Sequence, residues 1–117
     1  QAHLRTNSLS NEDLKYLDYL IDWAHSNNLE FHVTELNLWV KEEISNLDSI
    51  QNIQAELYEK IINKLISKKK NGVVALNFWG LNDRKGGQKN NKTILSIFDQ
   101  RLNANPSLNI IKTSLKK

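Results

Sequence analysis

Cysteine is absent from the 117 residues. A disulfide framework and any thiolate metal site are excluded with it, although the compartment stays open, since secreted enzymes need not carry disulfides. No apolar run is long enough to span a bilayer, and no signal peptide is visible. Internal repeats and low-complexity segments are lacking too. The three histidines do not stand at metal-ligand spacing with Asp or Glu, so no metal and no cofactor is expected. A basic stripe interleaved with aromatics is also missing. The net charge of +3 comes largely from Lys68-Lys69-Lys70 and Lys116-Lys117. Both runs read as solvated helix ends, where cations suit the helix dipole. Neither nucleic acid nor a membrane is therefore expected as a partner.

What is present is a globular composition, 39% hydrophobic and 25% charged, long enough for one small core. The chain opens abruptly on Gln1-Ala2-His3-Leu4, without a polar lead-in, and reads as a piece of something longer. Residues 1–4 fit the end of a strand. Ser10 as N-cap with Asp13 three residues on predicts a capping box. Leu14, Leu17, Leu20, Ile21 and Ala24 then follow at helical spacing, which predicts an amphipathic helix over 11–26 ending at Asn27-Asn28. Tyr16, Tyr19 and Trp23 flank that stripe as packing residues. A strand is expected over 29–36 and a loop over 37–47 carrying Trp39. Asp48 is expected to cap a second helix whose apolar stripe runs from Ile50 to Ile66, with Gly72 closing it. The near-continuously apolar run 73–80 predicts a strand buried on both faces. A polar loop over 81–93, with Gly86-Gly87 at its bend, a short apolar segment at 94–98, and a last helix over 107–115 behind Pro106 complete the chain. Strand, helix, strand, helix, strand, helix predicts three parallel strands alternating with three helices. In such folds the functional face lies at the C-terminal ends of the strands, where the loops 37–47 and 81–93 begin.

Glu35 is the centre of interest. Alternation along 31–40 puts Phe31, Val33, Glu35 and Asn37 on one side. A carboxylate on a mostly apolar strand face is expensive to bury unpaired. Either a partner neutralises it, or a site requires it. Taken singly, Glu35 reads as an ion-paired surface residue, His3 as an incidental terminal histidine, and Trp79 as core packing.

Taken together, the strand ends are more specific. Gln1-Ala2-His3 closes the first, Thr34-Glu35-Leu36-Asn37 the second, and Phe78-Trp79-Gly80 the third. This set resembles the last three βα units of glycoside hydrolase family 10, the endo-1,4-β-xylanases, in which Gln-x-His, Thr-Glu-Leu-Asp and Trp-Gly strand ends follow one another. Asn105-Pro106 fits as well, and the resemblance covers essentially the whole chain. It implies a partial TIM (β/α)8 barrel, residues 1–117 being the C-terminal part of the catalytic domain. It implies β-1,4-xylan as substrate, the remainder of the barrel as partner, and a secreted or periplasmic location. Carried over by position, it makes Glu35 the catalytic nucleophile and His3 the residue that orients it. Gln1, Asn37 and Trp79 become substrate-binding residues, with Trp79 as an apolar wall against a sugar ring. His25 and His32 receive no role.

Two departures stand out. The family has Asp where this chain has Asn37, which keeps the shape but loses the charge that would stabilise a protonated His3. The loop after Trp79 carries Asp83-Arg84-Lys85-Gly86-Gly87 without the family's further Trp. The family's acid/base Glu, in a Trp-x-x-x-Asn-Glu stretch of an earlier strand, has no counterpart in these residues. The chain by itself is therefore expected to be catalytically incompetent, since a complete barrel takes roughly 200 residues or more. Two alternatives stay open: a non-catalytic carbohydrate-binding relative, and a small α/β interaction module.

Overall fold

The computed structural model describes residues 1–41, 46–85 and 92–117. Its first helix, α1 (Asn11–Ser26), coincides with the expected span because both of its ends are coded locally. Ser10 Oγ accepts from Asp13 N at 3.1 Å, and Asp13 Oδ2 accepts from Ser10 N at 2.8 Å. The Ser10 hydroxyl and backbone N–H hold the Asp13 carboxyl below its ordinary range. At the other end Asn28 adopts φ 59°, so that Asn28 N reaches His25 O and Leu29 N reaches Ala24 O. That is the paired bonding of a Schellman stop, with Asn in the left-handed position usually given to glycine.

Three parallel strands carry the chain between helices: β1 (His3–Leu4), β2 (Phe31–Lys41) and β3 (Val74–Phe78), with β2 in the middle. The expected parallel arrangement is therefore found. Helix α2 (Leu47–Lys68) follows β2, and α3 (Pro106–Ser114) ends the fold. The core lies between the sheet and the helices, around Ile21, Leu36, Leu38, Leu57, Tyr58 and Leu95.

Several boundaries differ from expectation. Strand β2 runs to Lys41 rather than stopping at 36, because it gains a second partner. That partner is β5 (Lys92–Leu95), antiparallel to β2 from Leu38↔Leu95 to Lys41↔Lys92, with β4 (Arg84–Lys85) paired to β5 in turn. Strand β4 sits where a loop was expected, and β5 spans the end of that loop and the start of the apolar segment expected at 94–98, since strand pairing is non-local. Gly86-Gly87 lies outside the described residues. The cap of α2 is Asn46, whose Oδ1 accepts from Ser49 N at 3.2 Å, while Asp48 sits in the first turn, where its charge still suits the helix N-terminus. That helix ends at Lys68 with Lys69 as its cap, and Gly72 instead lies so close to His25 that a Cβ would stand 2.6 Å from the ring. Strand β3 is half-buried rather than enclosed on both faces, its Asn77 exposed.

A buried polar network fixes the segment after β3. Asp83 accepts from Ser96 N at 2.7 Å and from Asn105 Nδ2 at 3.1 and 3.2 Å. Asn105 Nδ2 and Gln54 Nε2 both donate to Ser96 O at 2.9 Å, and Gln51 Nε2 donates to Asn105 Oδ1 at 2.9 Å. Asn105 is thereby committed inward and caps α3 without a side-chain bond, while Pro106 supplies the preset first turn. Burial pushes the Asp83 carboxyl up from 3.8, against the pull of the Ser96 and Asn105 donors. Its charge therefore weakens the fold above the raised folded-state value, and this cost is relieved as pH falls through that value. Asn105→Ala is expected to destabilise the fold by about 2–4 kcal/mol at neutral pH, because it leaves a buried carboxylate short of donors. The deficit should shrink on acidification, as read from urea midpoints across pH. A deficit that grows towards acid pH would contradict this assignment.

Candidate active site

Register brings the candidate residues together. His3 pairs with Asn37 across β1 and β2, held by Ala2 N to Thr34 O at 2.8 Å and Asn37 N to Ala2 O at 3.2 Å. Gln1 and His3, two residues apart, thus face the same part of β2.

At that part β2 is not regular. Val33 pairs with Leu76 and Leu36 with Phe78, so β2 carries one residue more than β3 over this stretch. Such an insertion is a β-bulge. Within it Glu35 has φ 59°, the left-handed region that a non-glycine residue enters at a cost of about 1–2 kcal/mol. The bulge reverses the parity of the strand. Phe31 and Val33 before it, and Leu36 and Leu38 after it, all belong to the helix-side core. Glu35 and Asn37 meet the β1 side chains instead. The expectation that Phe31, Val33, Glu35 and Asn37 share one side is corrected accordingly: Glu35 and Asn37 go together, Phe31 and Val33 do not. Uninterrupted alternation would have put Glu35 on the face of Val33.

Both oxygens of Glu35 are engaged. Gln1 Nε2 donates to Oε1 at 3.0 Å, and His3 Nε2 lies 3.1 Å from Oε2. The His3 and Glu35 side chains are 26% and 27% exposed, so the pair is sheltered yet reachable. His3 Nδ1 lies 2.9 Å from Asn37 Oδ1, which also accepts from Trp39 Nε1 at 2.8 Å. The His3 and Trp39 rings meet edge-on at 6.0 Å, and the Arg5 guanidinium stands 5.3 Å from the centre of the Trp39 ring.

Gln1, His3, Glu35 and Asn37 therefore form one hydrogen-bonded set. Trp79 adjoins it through the backbone: its amide donates at 3.1 Å to the carbonyl of Leu36, the residue that follows Glu35. Trp79 itself is 45% exposed, which sets aside plain core packing. The turn behind it needs glycine, since Gly80 has φ 85°, and Ser96 Oγ donates to Gly80 O. Trp39 and Arg5 were not anticipated at the site. The signal existed: Glu35, Asn37 and Trp39 alternate, but the strand was expected to stop at 36. His25 bonds Val73 O and His32 bonds Glu30, both away from this set. Among the described residues no three His, Cys, Asp or Glu side chains are grouped to hold a metal ion, and no helix is long and apolar enough to cross a membrane.

Comparison with solved structures supplies the family context. The chain superposes on xylanase 10B from Thermotoga petrophila, solved in complex with xylobiose, with TM-score 0.83 and 22% identity, over 99% of this chain and 35% of that one. The chain resembles the family 10 endo-xylanases. A glycosylated endo-β-1,4-xylanase of glycoside hydrolase family 10 from Gloeophyllum trabeum gives TM-score 0.76 and 18% identity, over 100% and 36% of the two chains. An intracellular xylanase from Thermoanaerobacterium saccharolyticum gives 0.69 and 28%, over 95% and 32%. The chain thus spans about a third of the length of the structures it matches, and the fold is that of part of a (β/α)8 barrel. No protein-family model and no curated protein matches it.

The strain at Glu35 is testable. Glu35→Gly and Glu35→Ala lose the same bonds to Gln1 and His3, but only glycine tolerates φ 59° freely. The glycine variant should be the more stable by about 1 kcal/mol in urea unfolding; equal stabilities would show that the bulge stores no strain there.

Proposed function

We propose that residues 1–117 are the C-terminal part of a retaining endo-1,4-β-xylanase, with Glu35 as its nucleophile. The observation that carries this reading is the double engagement of the Glu35 carboxylate. It projects from the bulge within β2, off the core face, with one oxygen on Gln1 and the other on His3. A retaining glycosidase needs an oriented carboxylate to attack the anomeric carbon and form a glycosyl-enzyme. It also needs a second carboxyl group about 5–5.5 Å away to serve as acid and then as base. The strand and its bulge give the first group a rigid seat. In this reading the second comes from an earlier strand of the barrel, so the chain alone does not turn over substrate. Trp79 offers its exposed ring to the C–H face of a xylose unit. Gln1 is shared between the carboxylate and sugar hydroxyls, whereas Asn37, expected to bind substrate, is fully buried and acts on the site only through His3.

The rest of the barrel is the implied partner, and two faces suit it. On α1, the pairs Asp18–Lys64 and Asp22–Lys68 mark the flank against α2. Tyr16, Leu20 and Trp23 lie exposed on the other flank, at helical spacing. Beyond β3, an apolar groove runs between Ile66, Val74, Leu76, Phe78 and Leu115. Among the described strands, β1 pairs with β2 alone, and so does β3. In a closed barrel each of these strands has a second neighbour.

Asn37 favours a second reading, a carbohydrate-binding relative in which the hydrolytic step has lapsed. The two separate in one assay. Joined to the first five βα units of a family 10 xylanase, the chain is expected to hydrolyse xylohexaose with retention at the anomeric carbon. Glu35→Gln should then lower kcat by on the order of 10⁴-fold or more, the scale of deleting a covalent nucleophile. Binding without turnover in both versions would favour the carbohydrate-binding reading, and turnover indifferent to Glu35→Gln would refute the assignment of the nucleophile.

A further inference from the structure

The indole of Trp39 has no part in the roles assigned so far, yet it touches the group that sets the state of His3. An indole nitrogen is a donor only, so the atom 2.8 Å from Trp39 Nε1 has to be the amide oxygen of Asn37. The amide turned the other way would set Nδ2 against that N–H, donor to donor. The present orientation is held although it leaves Asn37 Nδ2 buried and without a hydrogen-bond partner among the described residues.

The same Oδ1 lies 2.9 Å from His3 Nδ1. An amide oxygen only accepts, so Nδ1 carries a proton. A neutral imidazole protonated at Nδ1 has a bare lone pair at Nε2. Nε2 lies 3.1 Å from Glu35 Oε2. A bare nitrogen and a carboxylate oxygen cannot bond at that distance, so a second proton lies between them. The contact is either imidazolium to carboxylate or neutral imidazole to carboxylic acid. Glu35 is the carboxylate that faces the ring; the guanidinium of Arg5 stands over the indole.

We infer that Trp39 is a positioning residue, which pins the Asn37 amide and thereby imposes the Nδ1–H form on His3, making His3–Glu35 a pair that shares one proton. An aspartate at position 37 needs no such help, because both of its oxygens accept. Asparagine has one accepting end, and the indole decides which way that end points. The tautomer stands on geometry alone; its consequence for the nucleophile rests on the reading of Glu35 proposed above.

The test is nitrogen NMR of the protein with ¹⁵N-labelled histidine, the His3 signals being identified by their loss in His3→Gln. His3 Nδ1 should carry a proton in the wild-type protein, as the imidazolium or as the Nδ1–H tautomer. In Trp39→Phe the amide is free to turn and donate through Nδ2, so neutral His3 should switch to the Nε2–H tautomer. Adding Asn37→Asp to Trp39→Phe should bring Nδ1–H back. A wild-type His3 that is neutral with a bare Nδ1 overturns the inference, and so does a Trp39→Phe spectrum with the tautomer unchanged. Should Trp39→Phe not fold, the wild-type spectrum decides alone. These spectra do not depend on turnover, so they settle the tautomer whether or not the xylanase reading stands.

Discussion

One extra residue in the central strand governs this structure. The bulge at Glu35 lets β2 keep Val33, Leu36 and Leu38 in the helix-side core while turning a carboxylate away from it. A straight strand cannot do both. With a period of two, Glu35 would fall on the face of Val33, where an unpaired carboxylate is costly. The left-handed backbone at Glu35 is the local cost of that change of face. Pairing on both edges of β2 holds it in place, with β1 on one side and β3, then β5, on the other.

The same irregularity organises the chemistry. Because β1 is in register with the residues just past the bulge, Gln1 and His3 meet the two oxygens of Glu35, and His3 meets Asn37 with its other nitrogen. Each group is thus oriented by its neighbour, and the contacts run from His3 through the Asn37 amide to the Trp39 indole. Where the resemblance leads to the expectation of an aspartate, the chain has Asn37, a fixed dipole in place of an anion. Behind the site, the buried network of Asp83, Ser96 and Asn105 ties the segment after Trp79 to α2, so the turn that presents Trp79 is anchored from below.

Legibility in the sequence followed locality. Helix α1 was legible at both ends, since Ser10, Asp13 and Asn28 act within a few residues of themselves. The alternation of β1, β2 and β3 with the three helices was legible for the same reason, whereas β4 and β5 were not. The end of β2 was not, because Leu38 to Lys41 are strand only by virtue of β5, more than fifty positions away. The bulge was invisible to periodicity, which assumes an unbroken alternation. The association of Gln1, His3, Glu35, Asn37 and Trp79 was legible only through the three strand ends read as a set. Asp83 and Asn105 gave no sign of being buried partners, since polar residues in a polar segment read as loop.

The central claim is that Glu35, held on the bulge, attacks the sugar. It is tested most directly by treating the chain, joined to the first five βα units of a family 10 xylanase, with an activated 2-deoxy-2-fluoro-xylobioside, which traps a glycosyl-enzyme. Peptide mass spectrometry should find the sugar covalently attached to the Glu35 carboxylate. A trapped sugar on any other carboxylate, or turnover of xylohexaose with no trapped species at Glu35, would contradict that claim.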